Sequence, residues 1–175
     1  MLSFDIRSLE ARAAQVAGTL DPDDSIWEDA DQRPSSPIQV EGRLSPAGHS
    51  RFYLSGHISG KAAMECRRCL TDVTEDVSDE LHAVFAPSGD SEVDDPDVFD
   101  FDPQGRELDL RPAVRESWLL AVPAFAECRE DCKGLCPSCG ADLNEGECAC
   151  EPARDSRWDA LRKPGSRSAA APGEN

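Results

Sequence analysis

The chain has 175 residues, with 35 Asp and Glu against 18 Lys and Arg, giving a net charge of −17 and a pI near 4.4. Direct nucleic-acid binding is driven by Lys and Arg meeting phosphate, so a chain of this sign suits basic partners unless its own cations gather on one face. The longest apolar run falls far short of the roughly 20 residues of a membrane span. The N-terminus, Met1-Leu-Ser-Phe-Asp-Ile6, lacks the basic-then-apolar order of a secretory signal. The expected setting is the cytoplasm, with no membrane.

Ile6, Leu9, Ala13, Val16, Ala17 and Leu20 recur mostly at intervals of three and four, which predicts a helix over residues 2–20, with Ser8 as N-cap and Gly18 as stop. Residues 21–37 are rich in Asp, Pro and Ser and read as a loop with Ile26 and Trp27 tucked back onto the core. Ile38 to Leu44 predicts a strand and Ser45-Pro46-Ala47-Gly48 a turn. Arg51 to Ile58 predicts a second strand, Ser59-Gly60 a second turn, and Lys61 to Arg68 a third strand. Thr71 to Phe85 alternates Val73, Val77, Leu81 and Val84 with charges and predicts a fourth strand, a helix being the alternative for its second half. Leu108 and Leu110 suggest a short strand. Arg111-Pro112 then opens a helix that carries Val114, Trp118, Ala121 and Val122 on one face and ends at Pro123. Beyond the cysteines, Asp155 caps a short helix bearing Trp158 and Leu161, and residues 164–175 read as a disordered tail.

These elements predict an α+β fold, an antiparallel sheet domain with flanking helices and a C-terminal cysteine-rich zinc-binding module. The expected domains are 1–125, with an acidic loop at 86–105, then a zinc-knuckle module at 126–163, then the tail. From Thr71 to Gly105 there is no Lys or Arg. Such a run reads either as a solvated loop that keeps the chain soluble or as a docking surface for a basic partner, carried by Asp90, Glu92, Asp94, Asp95 and Asp97.

The eight cysteines carry the chemistry. Cytoplasmic thiols stay reduced, so clustered pairs read as metal ligands. Cys66-Arg-Arg-Cys69 ends a predicted strand, Cys128 and Cys132 follow the Trp118 helix, and Cys136-Pro-Ser-Cys139-Gly140 precedes Cys148-Ala-Cys150. A C-x-x-C turn brings two thiolates to one ion, and Gly140 permits the sharp bend after it. Eight thiolates divide into two four-thiolate zinc sites. Sequence order suggests Cys136, Cys139, Cys148 and Cys150 as a local site, and Cys66, Cys69, Cys128 and Cys132 as a long-range one. Burial of free cysteines as small hydrophobes explains isolated residues, not such clusters. The chemical competitor is a thiol-disulfide oxidoreductase using a CxxC pair. Its motif should open a helix, whereas Leu70-Thr-Asp-Val-Thr74 reads as strand. His49, His57 and His82 are scattered, there is no glycine-rich phosphate loop, and no small-molecule substrate site is evident. The chain therefore reads as a non-enzymatic binding protein.

Glu65-Cys-Arg-Arg-Cys69-Leu70 resembles a central C-x-R-C-L motif. Asp131-Cys-Lys-Gly-Leu-Cys-Pro-Ser-Cys-Gly-Ala-Asp-Leu-Asn144, with the C-x-C and Asp155-Ser-Arg-Trp158 that follow, resembles a longer one. Both are similar to motifs of the YceD family of large ribosomal RNA accumulation proteins, in element order over residues 1–163, although Ser156 stands where that family usually has Pro. The resemblance implies a ribosome-biogenesis role in synthesis, processing or stability of large-subunit (23S) rRNA. Some members lack the Cys136–Cys150 cluster yet keep the central pair, which implies that the two sites are separable. The implied partner is a large ribosomal subunit precursor, met through a basic ribosomal protein or through rRNA. For direct rRNA contact the candidates are Arg67, Arg68, Arg129, Lys133, Arg154, Arg157, Arg162 and Lys163.

Overall fold

The computed structural model describes residues 2–89, 98–150 and 157. The chain divides into two units, Met1–Cys132 and Lys133–Asn175. Asp90, Glu92, Asp94, Asp95 and Asp97, the helix expected after Asp155, and the tail at 164–175 lie outside the described residues. No helix among the described residues is long and apolar enough to cross a membrane.

The first unit opens with strand β1 (Ser3–Asp5), helix α1 (Ile6–Ala11) and strand β2 (Ala14–Leu20). The single helix expected over residues 2–20 is thus corrected to strand, helix and strand. Asp5, not Ser8, is the N-cap, its carboxylate accepting from the Ser8 N–H at 3.0 Å. Beyond Arg12 the helical reading leaned on Ala13 and Ala17, which contribute little to a core. Val16 and Leu20 are buried at a spacing that also fits period two, and Gly18 and Thr19 disfavour helix.

Three long strands follow, β3 (Ile38–Gly48), β4 (Arg51–Glu65) and β5 (Asp72–Pro87). β5 is a strand throughout, burying Val77, Leu81, Ala83 and Phe85. After them come β6 (Val98–Phe101), β7 (Glu107–Asp109) and helix α2 (Arg111–Ala121). The main sheet runs β2-β3-β4-β5-β6, and β1 pairs with β7 apart from it. β2 to β5 form an antiparallel meander, but β6 joins β5 in parallel. The sheet is therefore mixed rather than wholly antiparallel.

Both expected turns are displaced. β3 continues through Ser45–Gly48 with a bulge, and the chain reverses at His49 and Ser50, both left-handed at φ 51° and 59°. That geometry matches the twist of a two-residue hairpin. At Ser59-Gly60 there is no turn; β4 runs straight on. Gly60 is a packing residue, since a Cβ there would lie 2.8 Å from the Trp118 ring.

α2 buries Ala113, Val114 and Trp118 and anchors the loop at 21–37. The Trp118 indole donates to the Gln32 carbonyl at 2.8 Å, and Trp27 is buried with its indole donating to the Asp21 carbonyl at 2.8 Å. Arg115 donates to both carboxylate oxygens of Asp31 at 2.7 and 2.9 Å. That pair, with the Glu28 N–H behind it, holds the Asp31 carboxyl below its ordinary range. A carboxyl whose folded pKa is depressed stabilises above its unfolded value, and that contribution is lost as pH falls through the folded value. Asp31→Asn is therefore expected to lower the urea midpoint at pH 7. The gap to the parent chain should begin to narrow below about pH 4, near the unfolded carboxyl pKa, and close only below the lower folded value. A gap that persists unchanged at pH 3 would assign the effect to packing.

Candidate metal centres

Cys66 and Cys69 sit where β4 ends. The chain turns there in a tight knuckle, with the Cys66 N–H donating to Thr71 O and the Leu70 N–H donating to Cys66 O, both at 2.9 Å. Cys136 and Cys139 in the second unit repeat the pattern. The Cys136 N–H donates to Ala141 O at 2.8 Å and the Gly140 N–H to Cys136 O at 2.9 Å. The residue that closes each knuckle is left-handed, Gly140 at φ 74° and Leu70 at φ 60°. Leu70 thus stands in a conformation that glycine adopts without strain. This repeated backbone, rather than a helix N-terminus, distinguishes Cys66-x-x-Cys69 from a thioredoxin-like arrangement.

The other half of the first group comes from the segment after α2. Cys66 bridges Ala126 in parallel, and the Arg67 N–H donates to Ala126 O at 2.9 Å. The sulfurs of Cys66 and Cys132 lie 3.9 Å apart, and those of Cys69 and Cys128 lie 3.6 Å apart. A metal–thiolate bond of about 2.3 Å puts tetrahedral sulfurs about 3.8 Å apart. All four Sγ atoms lie within 4.8 Å of one another, as do those of Cys136, Cys139, Cys148 and Cys150. None is in a disulfide. Each group can hold a metal ion, and the two groups are those that sequence order suggests.

The electrostatics of each group favour a cation. The backbone N–H groups of Cys128, Cys69 and Arg68 pull the Cys66 thiol down to about 6. Those of Cys139 and Ser138 pull Cys136 down to about 6. The Thr71 hydroxyl, 3.3 Å from Cys69 Sγ, and the Thr71 backbone lower Cys69 as well. Once these carry charge, their neighbours resist a second one. Cys128, though exposed as a residue, is pushed up to about 12 by partial desolvation of its thiol among the other sulfurs and by Cys132, Cys69 and Cys66. Cys150 is pushed up to about 12, chiefly by Cys139 beside it. A divalent ion relieves both kinds of repulsion and is bound by the thiolate forms.

In the second unit, Leu135 and Asp142 bridge antiparallel, and the Leu143 N–H donates to Gly134 O at 2.9 Å. The Asn144 side chain accepts from the Lys133 N–H at 2.8 Å and donates to Asp142 at 2.7 Å. Cys139 and Cys150 are exposed, Cys148 is intermediate and Cys136 buried, whereas the first group buries Cys66, Cys69 and Cys132. With Cys128 the one exposed member of the first group, the second group is the more open to solvent-borne chelators.

Of the basic residues proposed for rRNA, Arg67, Arg68 and Arg129 are engaged with carboxylates. Arg67 and Arg68 both pair with Glu127, and Arg67 lies over the Phe125 ring at 5.8 Å from its centroid. Arg68 also donates to the carbonyls of Cys132 at 2.9 Å and Glu130 at 3.3 Å, tying the Cys128–Cys132 loop to the knuckle. Arg129 pairs with Asp131 at 3.3 Å. Lys133 and Arg157 are exposed, and Arg154, Arg162 and Lys163 lie outside the described residues. No local sequence signal marks the structural roles of Leu70, Thr71 and Arg68. Only the C-x-x-C spacing signalled that something must shape the turn.

The family described as "Large ribosomal RNA subunit accumulation protein YceD" matches residues 54–163, well over half of the chain and inclusive of all eight cysteines. The maize protein "Large ribosomal RNA subunit accumulation protein YCED homolog 1, chloroplastic" is 27% identical to this chain over 86% of it and 58% of its own length. "Uncharacterized protein Rv2926c" of Mycobacterium tuberculosis is 33% identical over 62% of this chain and 53% of its own length. "Uncharacterized protein YlbN" of Bacillus subtilis is 26% identical over 79% of this chain and 80% of its own. The chain thus spans less than two thirds of the maize and mycobacterial relatives. No solved structure matches it. With both cysteine motifs inside the matched residues, the chain belongs to the YceD family of large ribosomal RNA subunit accumulation proteins.

Proposed function

We propose that this chain is a non-enzymatic, zinc-stabilised assembly factor of the cytoplasm that supports synthesis, processing or stability of 23S rRNA on the large ribosomal subunit precursor. The carrying observation is family membership, joined to two four-sulfur groups held within 4.8 Å. Zinc suits them because it takes four thiolates tetrahedrally, has no redox chemistry of its own and, as a closed site, contributes folding energy. Cys66, Cys69, Cys128 and Cys132 would hold one ion; Cys136, Cys139, Cys148 and Cys150 would hold the other.

Within this reading the direct partner is a basic ribosomal protein rather than bare rRNA. In support, the net charge is −17, and Arg67, Arg68 and Arg129 are each paired with a carboxylate. Asp90, Glu92, Asp94, Asp95 and Asp97 would steer that partner on encounter, and the cations around Arg67, Arg68, Lys133 and Arg157 would be secondary. The thiol-exchange alternative has one observation in its favour, the lowered Cys66 thiol. The N–H groups responsible serve a metal-bound thiolate equally well, and Cys66 is fully buried, which denies it a disulfide substrate.

The test is affinity purification of the full chain from cells, with identification of co-purifying RNA and proteins, and 23S rRNA measured against 16S after depletion. Large-subunit components in the eluate and a fall in 23S alone are expected. An unchanged 23S level, or dithiol turnover by a metal-free chain, would contradict the proposal.

A further inference from the structure

Strand β5 has two unlike edges. β4 pairs with it from Asp72 to Phe85, but β6 covers only Val84–Pro87 on the other side. From Asp72 to Ala83 that second edge carries no strand among the described residues. Here the Glu80 N–H is taken by the Asp79 carboxylate at 2.9 Å. An unpaired strand edge is a template for another backbone.

A groove of about 180 Å3 lies between this part of β5 and α2. Its apolar lining is Leu81, Phe99, Ala113 and Leu120, and Leu120 is 77% exposed. An exposed leucine beside a buried one is incomplete packing that a partner side chain can finish. The charged lining is Asp79, Glu80 and Glu116, with no Lys or Arg. His82, the other titratable group there, bonds the Tyr53 hydroxyl at 2.9 Å and lies 3.4 Å from Glu80. The groove thus combines room for a side chain, a strand edge unpaired among the described residues apart from the Glu80 N–H, and charge of one sign.

We propose that this groove docks an extended cationic polypeptide segment. Lys or Arg side chains of the segment meet Asp79, Glu80 and Glu116. One apolar side chain seats against Leu120 and Phe99, and the backbone runs along the open edge of β5. The occupant is polypeptide and not RNA, because the carboxylates repel phosphate and a strand edge is complementary to a peptide backbone. This rests on the basic-partner reading above and adds its place and mode.

The test uses the full chain and three probes: a short peptide alternating Lys and Thr around one central Leu, the same peptide with Ser at its centre, and a short single-stranded RNA. The Leu peptide should bind roughly tenfold more tightly than the Ser peptide and shift the amide signals of Leu81, Ser117 and Leu120. Leu120→Asp, at an exposed position, should abolish the difference between the peptides. Glu116→Lys should weaken both by about fivefold, whereas Glu10→Lys, the same charge change on α1, should stay within about twofold. Equal binding of the two peptides, equal effects of Glu116→Lys and Glu10→Lys, or RNA shifting the same signals would each overturn the groove. Wild-type yields of large-subunit components from the Leu120→Asp, Glu116→Lys chain would overturn the groove and leave the assembly role standing. Failure of the parent chain to recover them would strike the assembly role instead.

Discussion

Cys69→Ser is expected to release one metal ion and destabilise the sheet unit, while Cys139→Ser releases the other and leaves that unit intact. The difference follows from what each ion closes. Cys69 and Cys128 are 59 residues apart in sequence with sulfurs 3.6 Å apart, so an ion there closes a long loop and pins the end of β4 to the segment after α2. The second group spans only Cys136 to Cys150 and ties residues of its own unit. Apparent zinc-binding energies of thiolate sites are about 10–16 kcal/mol in small peptides, where binding is folding. The sheet unit has its own core, so only part of that is at stake. Cys69→Ser should cost on the order of 4 kcal/mol, the upper range for single substitutions. Hydrogen exchange should show faster opening of β4 and β5 amides in Cys69→Ser, and of amides at 134–144 in Cys139→Ser. Equal loss throughout from both variants would contradict two independent groups.

Trp118→Ala is expected to be the most damaging change in the apolar core. Trp118 is fully buried, its ring packs on Gly60 and near Ile38, and its indole holds the Gln32 carbonyl. Truncation leaves a cavity over a glycine, which has no side chain to relax into it, and removes the donor from a loop carbonyl. The cost should be about 3–5 kcal/mol, read from urea unfolding. Because α2 leads into the segment carrying Cys128 and Cys132, the variant should also lose metal more readily from the first group than from the second. A cost under about 1 kcal/mol would mean that α2 is not the lid of this core.

The cysteine partition was legible because ligand spacing is a local, chemically narrow signal: Cys136-Pro-Ser-Cys139-Gly140 states its turn outright. The β4 knuckle was legible only in part, since Leu70 gives no hint of a left-handed backbone. The strands of the meander were readable from alternation, yet two glycine signals misled. Gly18 lies inside β2 and Gly60 inside β4, where it makes room for a tryptophan brought from 58 residues away. Period-two and helical spacing coincide at Val16 and Leu20, and two alanines tipped that reading the wrong way. Long-range pairings such as Arg115 with Asp31, or Arg67 and Arg68 with Glu127, leave no local trace. Arg67 and Arg68 therefore look more available in the sequence than they are in the fold.

The central claim is that two separable thiolate groups each hold a structural zinc ion. Native mass spectrometry of the reduced full chain, with elemental analysis of the same sample, tests it most directly. The account predicts two zinc ions per chain, one in Cys69→Ser, one in Cys139→Ser and none when both are replaced. A metal-free parent chain with all thiols reduced, or an ion count that neither substitution changes, would contradict it.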